Sequence, residues 1–284
     1  MPELPEVEHT RRTLDRWLRG AHIVAVHAPD AFIIRPTSRR VVERRLAGRT
    51  VAKVERRGKW IRLEVDSGAR VFVHLGMTGW FEPSSSGAPA LRFERFALDL
   101  AGKRRPSRVA FVDPRRWGRF VLAVAGEDTA TWRALGPDPL TDGIDAVALH
   151  ARLQRRKRTS IKEGLLDQVV LAGIGNIQAS EALWKAQIDP RSPASALALA
   201  DVRRLTRALH WTITRTLRDL AKSEHSGPPE SRSHNPFKVY GRRGEPCSRC
   251  GRALARIQLG GRTTTYCPGC QRRLGPARTR KGSA

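Results

Sequence analysis

Leu135-Gly-Pro-Asp-Pro-Leu140 is the stretch on which the reading of this fold turns. Two prolines and a glycine within six residues stop any helix or strand that reaches them. The hydrophobic pattern has a different period on each side. Upstream, from residue 23 to about 124, apolar and polar residues alternate in short runs at 51–55, 60–65, 71–75, 91–100, 108–112 and 120–124, with Gly, Pro and Ser between them. Several short period-two runs separated by turn residues predict a β-sandwich or barrel. Downstream, from 142 to about 222, a period of three to four predicts helices over 144–154, 160–171, 177–187 and 196–221. The chain also opens on a helical rhythm, Leu4, Val7, Arg11, Leu14, Trp17 and Leu18, with Gly20 as its stop. Glu3 and Glu6 fall in that first turn, where the helix dipole favours negative charge.

The chain has 284 residues, 40% of them hydrophobic, which is ample for one large or two ordinary domains with a packed core. Apolar runs such as 194–200 fall far short of the roughly 20 residues that cross a bilayer. Pro2, Glu3 and Glu6 stand where a secretory signal would need a charged-then-apolar pattern, so a secreted or membrane protein is not expected. Lys and Arg number 53 against 27 Asp and Glu, a formal charge of +26. Basic clusters recur at 39–40, 44–45, 56–59, 103–105, 115–116, 155–158, 242–243 and 278–281. Charge spread over every segment reads first as a nucleic-acid binder, and secondly as a compositional preference for Arg and Ala. Nothing in the sequence marks an oligomer, and a monomer is expected.

The four cysteines form two pairs, Cys247-Ser-Arg-Cys250 and Cys267-Pro-Gly-Cys270, separated by the 16 residues 251–266. Four thiolates at this spacing suit one tetrahedral Zn²⁺, while a redox pair or two disulfides are the alternatives. The absence of other cysteines suits a reducing cytoplasm. Between the pairs, 253–259 and 262–266 flank Gly260-Gly261, a two-residue hairpin signal that puts Arg262 at the tip. A shell filled by four cysteines has no open position, so the metal would be structural. Further upstream, Ala172-Gly-Ile-Gly-Asn176 reads as a tight turn followed by an N-cap. Free backbone N–H groups at such a helix start form a ready phosphate site, although the pattern alone is more often a plain turn. Residues 224–236, rich in Ser, Gly, Pro and charge, read as a loop.

Met1-Pro-Glu-Leu-Pro-Glu-Val-Glu8 carries the most chemistry. A small residue after Met1 favours removal of that methionine, which leaves Pro2 as a secondary amine. An α-amino group titrates near 8 against about 10.4 for lysine, so far more of it is uncharged at neutral pH. Such an amine attacks an aldehyde-like carbon to give an iminium, with Glu3 beside it to move protons. The plainer reading is that Pro2 only starts a helix.

These residues resemble the start of the bacterial formamidopyrimidine-DNA glycosylases of base-excision repair. The resemblance continues in order through Arg57-Gly-Lys59, His74-Leu-Gly-Met-Thr-Gly79, Asp113-Pro-Arg-Arg-Trp-Gly118, Gly173-Ile-Gly-Asn-Ile177, Val239-Tyr-Gly-Arg-Arg-Gly-Glu-Pro-Cys247 and the cysteine module. It implies an α+β fold in which an N-terminal helix and a two-sheet β-sandwich form a catalytic domain at 1–134. A helical helix–two-turns–helix domain would follow at 141–223, then a lesion-capping loop at 224–238, a zinc finger at 239–272 and a basic tail at 273–284. It implies a bifunctional glycosylase and abasic-site lyase acting on damaged double-stranded DNA, with one structural Zn²⁺ on Cys247, Cys250, Cys267 and Cys270. Strand cleavage would proceed by β,δ-elimination. A non-catalytic lesion binder and a zinc-ribbon RNA-binding protein are the rivals, and neither needs Pro2, Glu3 and Lys59 together.

The resemblance also implies residue roles. Pro2 would attack the sugar and Glu3 transfer protons, with Glu6 holding the helix and Lys59 and Arg262 completing the catalytic set. His74, Arg115, Lys162, Asn176 and Arg262 would hold the DNA backbone, and Met77, Arg115 and Trp117 would fill the space of an extruded nucleotide. Without the resemblance, Lys59 would be a solvated lysine, His74 a satisfied core histidine, and Met77 and Trp117 core packing. Three positions depart from the family pattern. Trp117 stands where Phe is usual, Gln178 replaces a common Tyr, and 224–236 is shorter than the loop that caps 8-oxoguanine in members specific for it.

Overall fold

The computed structural model describes residues 2–102, 106–123, 126–222 and 235–275. The expected basic clusters at 103–105 and 278–281, the tail beyond 275 and nearly all of the loop 224–236 lie outside the described residues. Two compact units divide the chain, one of Met1–Leu135 with Thr216–Ser233 and one of Gly136–Arg215 with His234–Ala284.

In the first unit α1 (Leu4–Leu18) buries Leu4, Val7, Leu14 and Leu18, the face set by three-to-four spacing. It is followed by β1 (His22–His27), α2 (Arg39–Leu46), β2 (Val51–Arg57), β3 (Trp60–Val65), β4 (Arg70–His74), β5 (Trp80–Ser84), β6 (Glu94–Ala101), β7 (Arg108–Val112), β8 (Arg119–Ala123) and α3 (Ala130–Ala134). The strands form two four-stranded antiparallel sheets, ordered β1-β6-β7-β5 and β2-β3-β4-β8. Inward residues of both sheets make one core, joined by rings from either side: Phe120 of β8 stacks on Phe96 of β6 at 4.5 Å and meets Phe111 of β7 edge-on at 5.0 Å. This is the two-sheet sandwich that alternation predicts. One element departs from it. Residues 39–46 lie in the period-two region yet form α2, an arginine-rich helix that buries only Val42 and Leu46, one turn apart.

The second unit holds α4 (Ala146–Gln154), α5 (Ile161–Leu166), α6 (Asn176–Lys185), a single 3-10 turn at Ala194–Ala196, the larger part of α7 (Leu199–Ala221), whose end from Thr216 on counts with the first unit, and the hairpin of β9 (Ala255–Leu259) with β10 (Arg262–Tyr266). The helix expected over 160–171 ends early, at Leu166. Asp167 turns the chain into extended backbone, and its carboxylate accepts the Val169 N–H at 3.0 Å. Two turns follow, held by Gln168, whose amide donates to the Leu166 and Ile174 carbonyls (2.9 Å each) and accepts the Gly173 N–H (2.8 Å). The result is a helix, two turns and a helix. Among the described residues no helix is long and apolar enough to cross a membrane.

Candidate active site

Pro2 is buried at the start of α1 and Glu3 is 1% exposed. Glu6 fixes this helix start, since its carboxylate accepts the Glu3 backbone N–H at 3.0 Å. One turn and a half beyond Pro2, Glu8 meets Arg56 of β2, whose side chain is also buried, at 3.0 Å. Burial alone would raise the Glu8 pKa. Hydrogen bonds from Arg11, Arg12 and Arg56 outweigh it and hold the carboxyl below the usual range. The other end of Arg56 donates to the Gly58 carbonyl at 3.1 Å. Gly58, in left-handed conformation (φ +57), opens the two-residue turn Gly58-Lys59 that joins Arg57 to its strand partner Trp60. Glycine at the first of two turn positions suits a tight hairpin. One ion pair thus docks the first helix on β2 and grips the turn that carries the half-buried Lys59.

His74 ends β4, paired across the sheet with Trp60 on one side and Arg119 on the other, its ring 5.0 Å from that of Trp60. Its Nδ1 accepts the Gly76 N–H at 3.1 Å, so the ring proton resides on Nε2. Burial first, then the charges of Lys59 and Arg119, lower its pKa to about 4. At neutral pH His74 is an uncharged N–H donor.

Two loops carry the expected wedge. Met77 lies half-buried in the loop after β4, while Arg115 and Trp117 are exposed in the loop before β8, the guanidinium 4.0 Å from the indole centre. Both loops answer to Asp113, which is fully buried. One of its oxygens accepts from Thr78 Oγ1 (2.7 Å) and the Arg115 N–H (3.2 Å), and the other from the Gly118 N–H (2.7 Å). Gly76 (φ +67) presses on the second loop: a Cβ there would stand 2.5 Å from the Trp117 carbonyl carbon.

In the second unit Asn176 is the first residue of α6, and Gly175, not Asn176, is the N-cap. The Asn176 side chain is used elsewhere, donating to the Thr263 carbonyl of β10 at 2.9 Å. Beside Thr263, Arg262 stands exposed after Gly260-Gly261, both left-handed as a type I′ turn requires. Helix start and hairpin tip are therefore brought together. Lys162 is a correction to the sequence reading. It is fully buried, its ammonium donating to the Asn176 carbonyl (2.8 Å) and Ser180 Oγ (2.5 Å), and so it shapes the start of α6 from within instead of facing a ligand. Gln178 is buried as well.

Several residues of structural weight were not singled out by sequence. Asp113 stood inside a quoted motif without a role, and Arg56 and Glu8 were only charges. Glu181, 3% exposed, accepts the N–H groups of Lys238, Val239 and Tyr240 at 2.8–3.0 Å and so ties α6 to the lead-in of the cysteine module. Their partners lie far along the chain, and no local signal marks them.

The thiol sulfurs of Cys247, Cys250, Cys267 and Cys270 all lie within 4.8 Å of one another, unpaired as disulfides. Tetrahedral zinc with Zn–S near 2.3 Å needs sulfurs about 3.8 Å apart. Cys247 Sγ also accepts from Trp184 Nε1 (3.4 Å) and the Arg249 N–H (3.5 Å), as metal-bound thiolates do.

Comparison with known proteins gives matches over almost the whole chain. Residues 1–120 match the family described as Formamidopyrimidine-DNA glycosylase N-terminal domain, 135–226 the Formamidopyrimidine-DNA glycosylase H2TH domain, and 244–273 the Zinc finger found in FPG and IleRS. A formamidopyrimidine-DNA glycosylase of Thermomicrobium roseum is 38% identical, covering 95% of this chain and 99% of the relative. That of Pseudomonas aeruginosa is 39% identical over 96% and 100%. Among solved structures, Lactococcus lactis formamidopyrimidine-DNA glycosylase bound non-covalently to abasic-site DNA superimposes with a TM-score of 0.83 at 28% identity, over 95% of this chain and 100% of the other. MutM in complex with DNA containing carbocyclic 8-oxo-G gives 0.85 at 28% identity, over 96% and 100%. The cysteine module is thus a zinc finger with one structural zinc, whose four ligand positions the four cysteines fill.

Proposed function

The chain belongs to the formamidopyrimidine-DNA glycosylase family, and from that membership we propose a bifunctional DNA glycosylase and abasic-site lyase of base-excision repair that uses Pro2 as its nucleophile. Its substrate is duplex DNA carrying oxidised or ring-opened bases, or a bare abasic site. The observation that carries the reading is the assembly at the start of the chain. Pro2 and Glu3 are buried on a helix that the Glu8–Arg56 pair fastens to the turn bearing Lys59. A protein that only binds has no use for such a trio.

Once Met1 is removed, the Pro2 nitrogen forms a bond to C1′ as the bond to the base breaks, and the base leaves with that electron pair and takes up a proton. Glu3 moves a proton at the ring oxygen, so the sugar opens to an iminium. Loss of a proton from C2′ then expels the 3′ phosphate, a second elimination expels the 5′ phosphate, and water frees the amine. Lys59, the Nε2–H of His74 and Arg115 hold phosphates in the first unit. The N–H groups at the start of α6 and Arg262 hold them in the second. Met77, Arg115 and Trp117 fill the gap left by the extruded nucleotide, offsetting a few kcal/mol of lost stacking. The zinc keeps the Arg262 hairpin folded. The enzyme works in the cytoplasm on nucleoid DNA.

Borohydride trapping tests the reading. Duplexes carrying an abasic site, 8-oxoguanine, a formamidopyrimidine or an oxidised pyrimidine are incubated with protein shown by mass to lack Met1, beside Pro2→Gly and Glu3→Gln variants. An adduct mapping to Pro2 is expected, and the best-trapped duplex names the lesion. No adduct on any duplex overturns the enzymatic reading.

A further inference from the structure

The chain has 17 aromatic side chains, 8 Phe, 7 Trp and 2 Tyr, and all lie among the described residues. Only three are exposed: Trp117 at 49%, Phe32 at 41% and Phe93 at 39%. All three carry arginine over the ring. Arg115 lies 4.0 Å from the Trp117 ring centre, Arg35 and Arg116 lie 5.1 and 5.2 Å from Phe32, and Arg92 and Arg95 lie 4.6 and 5.9 Å from Phe93. The three rings are linked through their arginines. Phe32 lines an open cavity of about 700 Å³ together with Arg35, Glu94, Arg95 and Arg116. Arg116 directly precedes Trp117 in the wedge loop, and Arg95 reaches from the Phe93 segment to Asp30 at 3.6 Å.

The acids of this surface are already spent. Asp30 binds Arg116 through two hydrogen bonds of 2.6 and 2.8 Å, which also hold Arg116 in left-handed conformation (φ +56). Glu94 binds Arg108 at 2.6 Å. Arg35 and Arg92 make no ion pair with a described residue, so their charge is open to an outside anion. Exposed rings, each with a guanidinium group beside it, match a ligand of alternating flat faces and negative charge. Bases in an intact duplex hide their faces against one another. Only unstacked bases offer them.

We propose that Phe32 and Phe93 continue the wedge into a stacking platform for unpaired DNA bases, with Arg35 and Arg92 on the intervening phosphates, so that the protein holds a single strand as well as duplex DNA. The platform deepens the reading above by naming a form of DNA, and its test is a binding measurement that needs no catalysis. Fluorescence anisotropy at physiological salt compares a labelled thymidine oligonucleotide about 20 nucleotides long with a labelled inorganic polyphosphate strand of equal charge, which is baseless and carries no abasic sugar for the Pro2 site. Stacking gives about fivefold for each ring at the low end, hence about 25-fold tighter binding of the thymidine strand.

The Phe32→Ala/Phe93→Ala pair should lose about that factor on the thymidine strand and nothing on the baseless one. Phe32→Leu/Phe93→Leu, which keeps apolar bulk, should do the same, and nicking of an abasic duplex should persist in both. Equal affinity of the wild type for the two strands overturns the platform, as does an undiminished thymidine affinity in the leucine pair. Base-dependent binding without any nicking by the wild type would instead overturn the enzymatic reading and leave the platform standing.

Discussion

His74→Asn removes a titrating group whose contribution the structure lets one calculate. The native ring has its pKa at about 4 because it is buried and faces Lys59 and Arg119, whereas in the unfolded chain it returns to 6.5. Above pH 6.5 both states are neutral and His74 adds no pH dependence. As pH falls below 6.5 the unfolded chain takes up a proton that the native ring refuses, so stability is lost progressively until about pH 4. The whole gap corresponds to about 3 kcal/mol, and about 2 kcal/mol of it is gone by pH 5. Urea unfolding of wild type and His74→Asn near pH 7.5 and pH 5 measures this directly, because the other titrating groups cancel in the double difference. The variant keeps an acceptor for the Gly76 N–H, since its amide oxygen stands on Cγ where Nδ1 does, and should lose about 2 kcal/mol less on acidification. A pH dependence identical to wild type within about 0.5 kcal/mol would refute the buried, neutral histidine. It would also remove the argument that an uncharged Nε2–H faces the phosphate.

Gly76→Ala places a Cβ 2.5 Å from backbone of the Trp117 loop at a residue with φ +67, so a loss of about 3 kcal/mol in denaturant unfolding is expected. The same variant should cut lesions in paired duplex more slowly than wild type. Glu181→Leu strands three buried or part-buried N–H groups at 238–240 and should cost about 3 kcal/mol or more, with Glu181→Gln milder, as read by thermal unfolding. Stripping the metal with a strong chelator, or Cys267→Ser, should unfold the β9–β10 hairpin and sharply weaken duplex binding. Metal analysis of the untreated protein should find one zinc per chain.

Much of the architecture can be read without coordinates because its signals are local. The runs at 60–65 and 108–112 become β3 and β7 residue for residue, and Gly260-Gly261 lies between two strands of a hairpin. The sequence reading missed α2, since Arg39, Arg40, Arg44 and Arg45 leave only Val42 and Leu46 to mark a helical face. It overran α5, because 167–171 keeps an apolar rhythm while Asp167 and Gln168 turn the chain through side-chain bonds that no periodicity reports. The reactive residues cluster in recognisable motifs, whereas the groups that hold them do not. Arg56 acts through residues 48 places before it and 2 after, and Asp113 through Thr78, 35 places before. Lys162 shows the opposite failure: its charge argues for the surface, and three-dimensional packing under the start of α6 puts it inside.

The hydrogen bond from Asn176 to the Thr263 carbonyl spans 87 residues and joins the start of α6 to the metal-pinned hairpin. With the phosphate role proposed for Asn176 and Arg262, the same hairpin must be folded for both, and zinc loading and phosphate grip would be a single coupled equilibrium in this unit. Coupling of that kind is reciprocal. On that proposed role metal should strengthen the hold on DNA, and DNA should in turn raise the affinity for metal, so a protein seated on its substrate should surrender its zinc only to a higher chelator concentration.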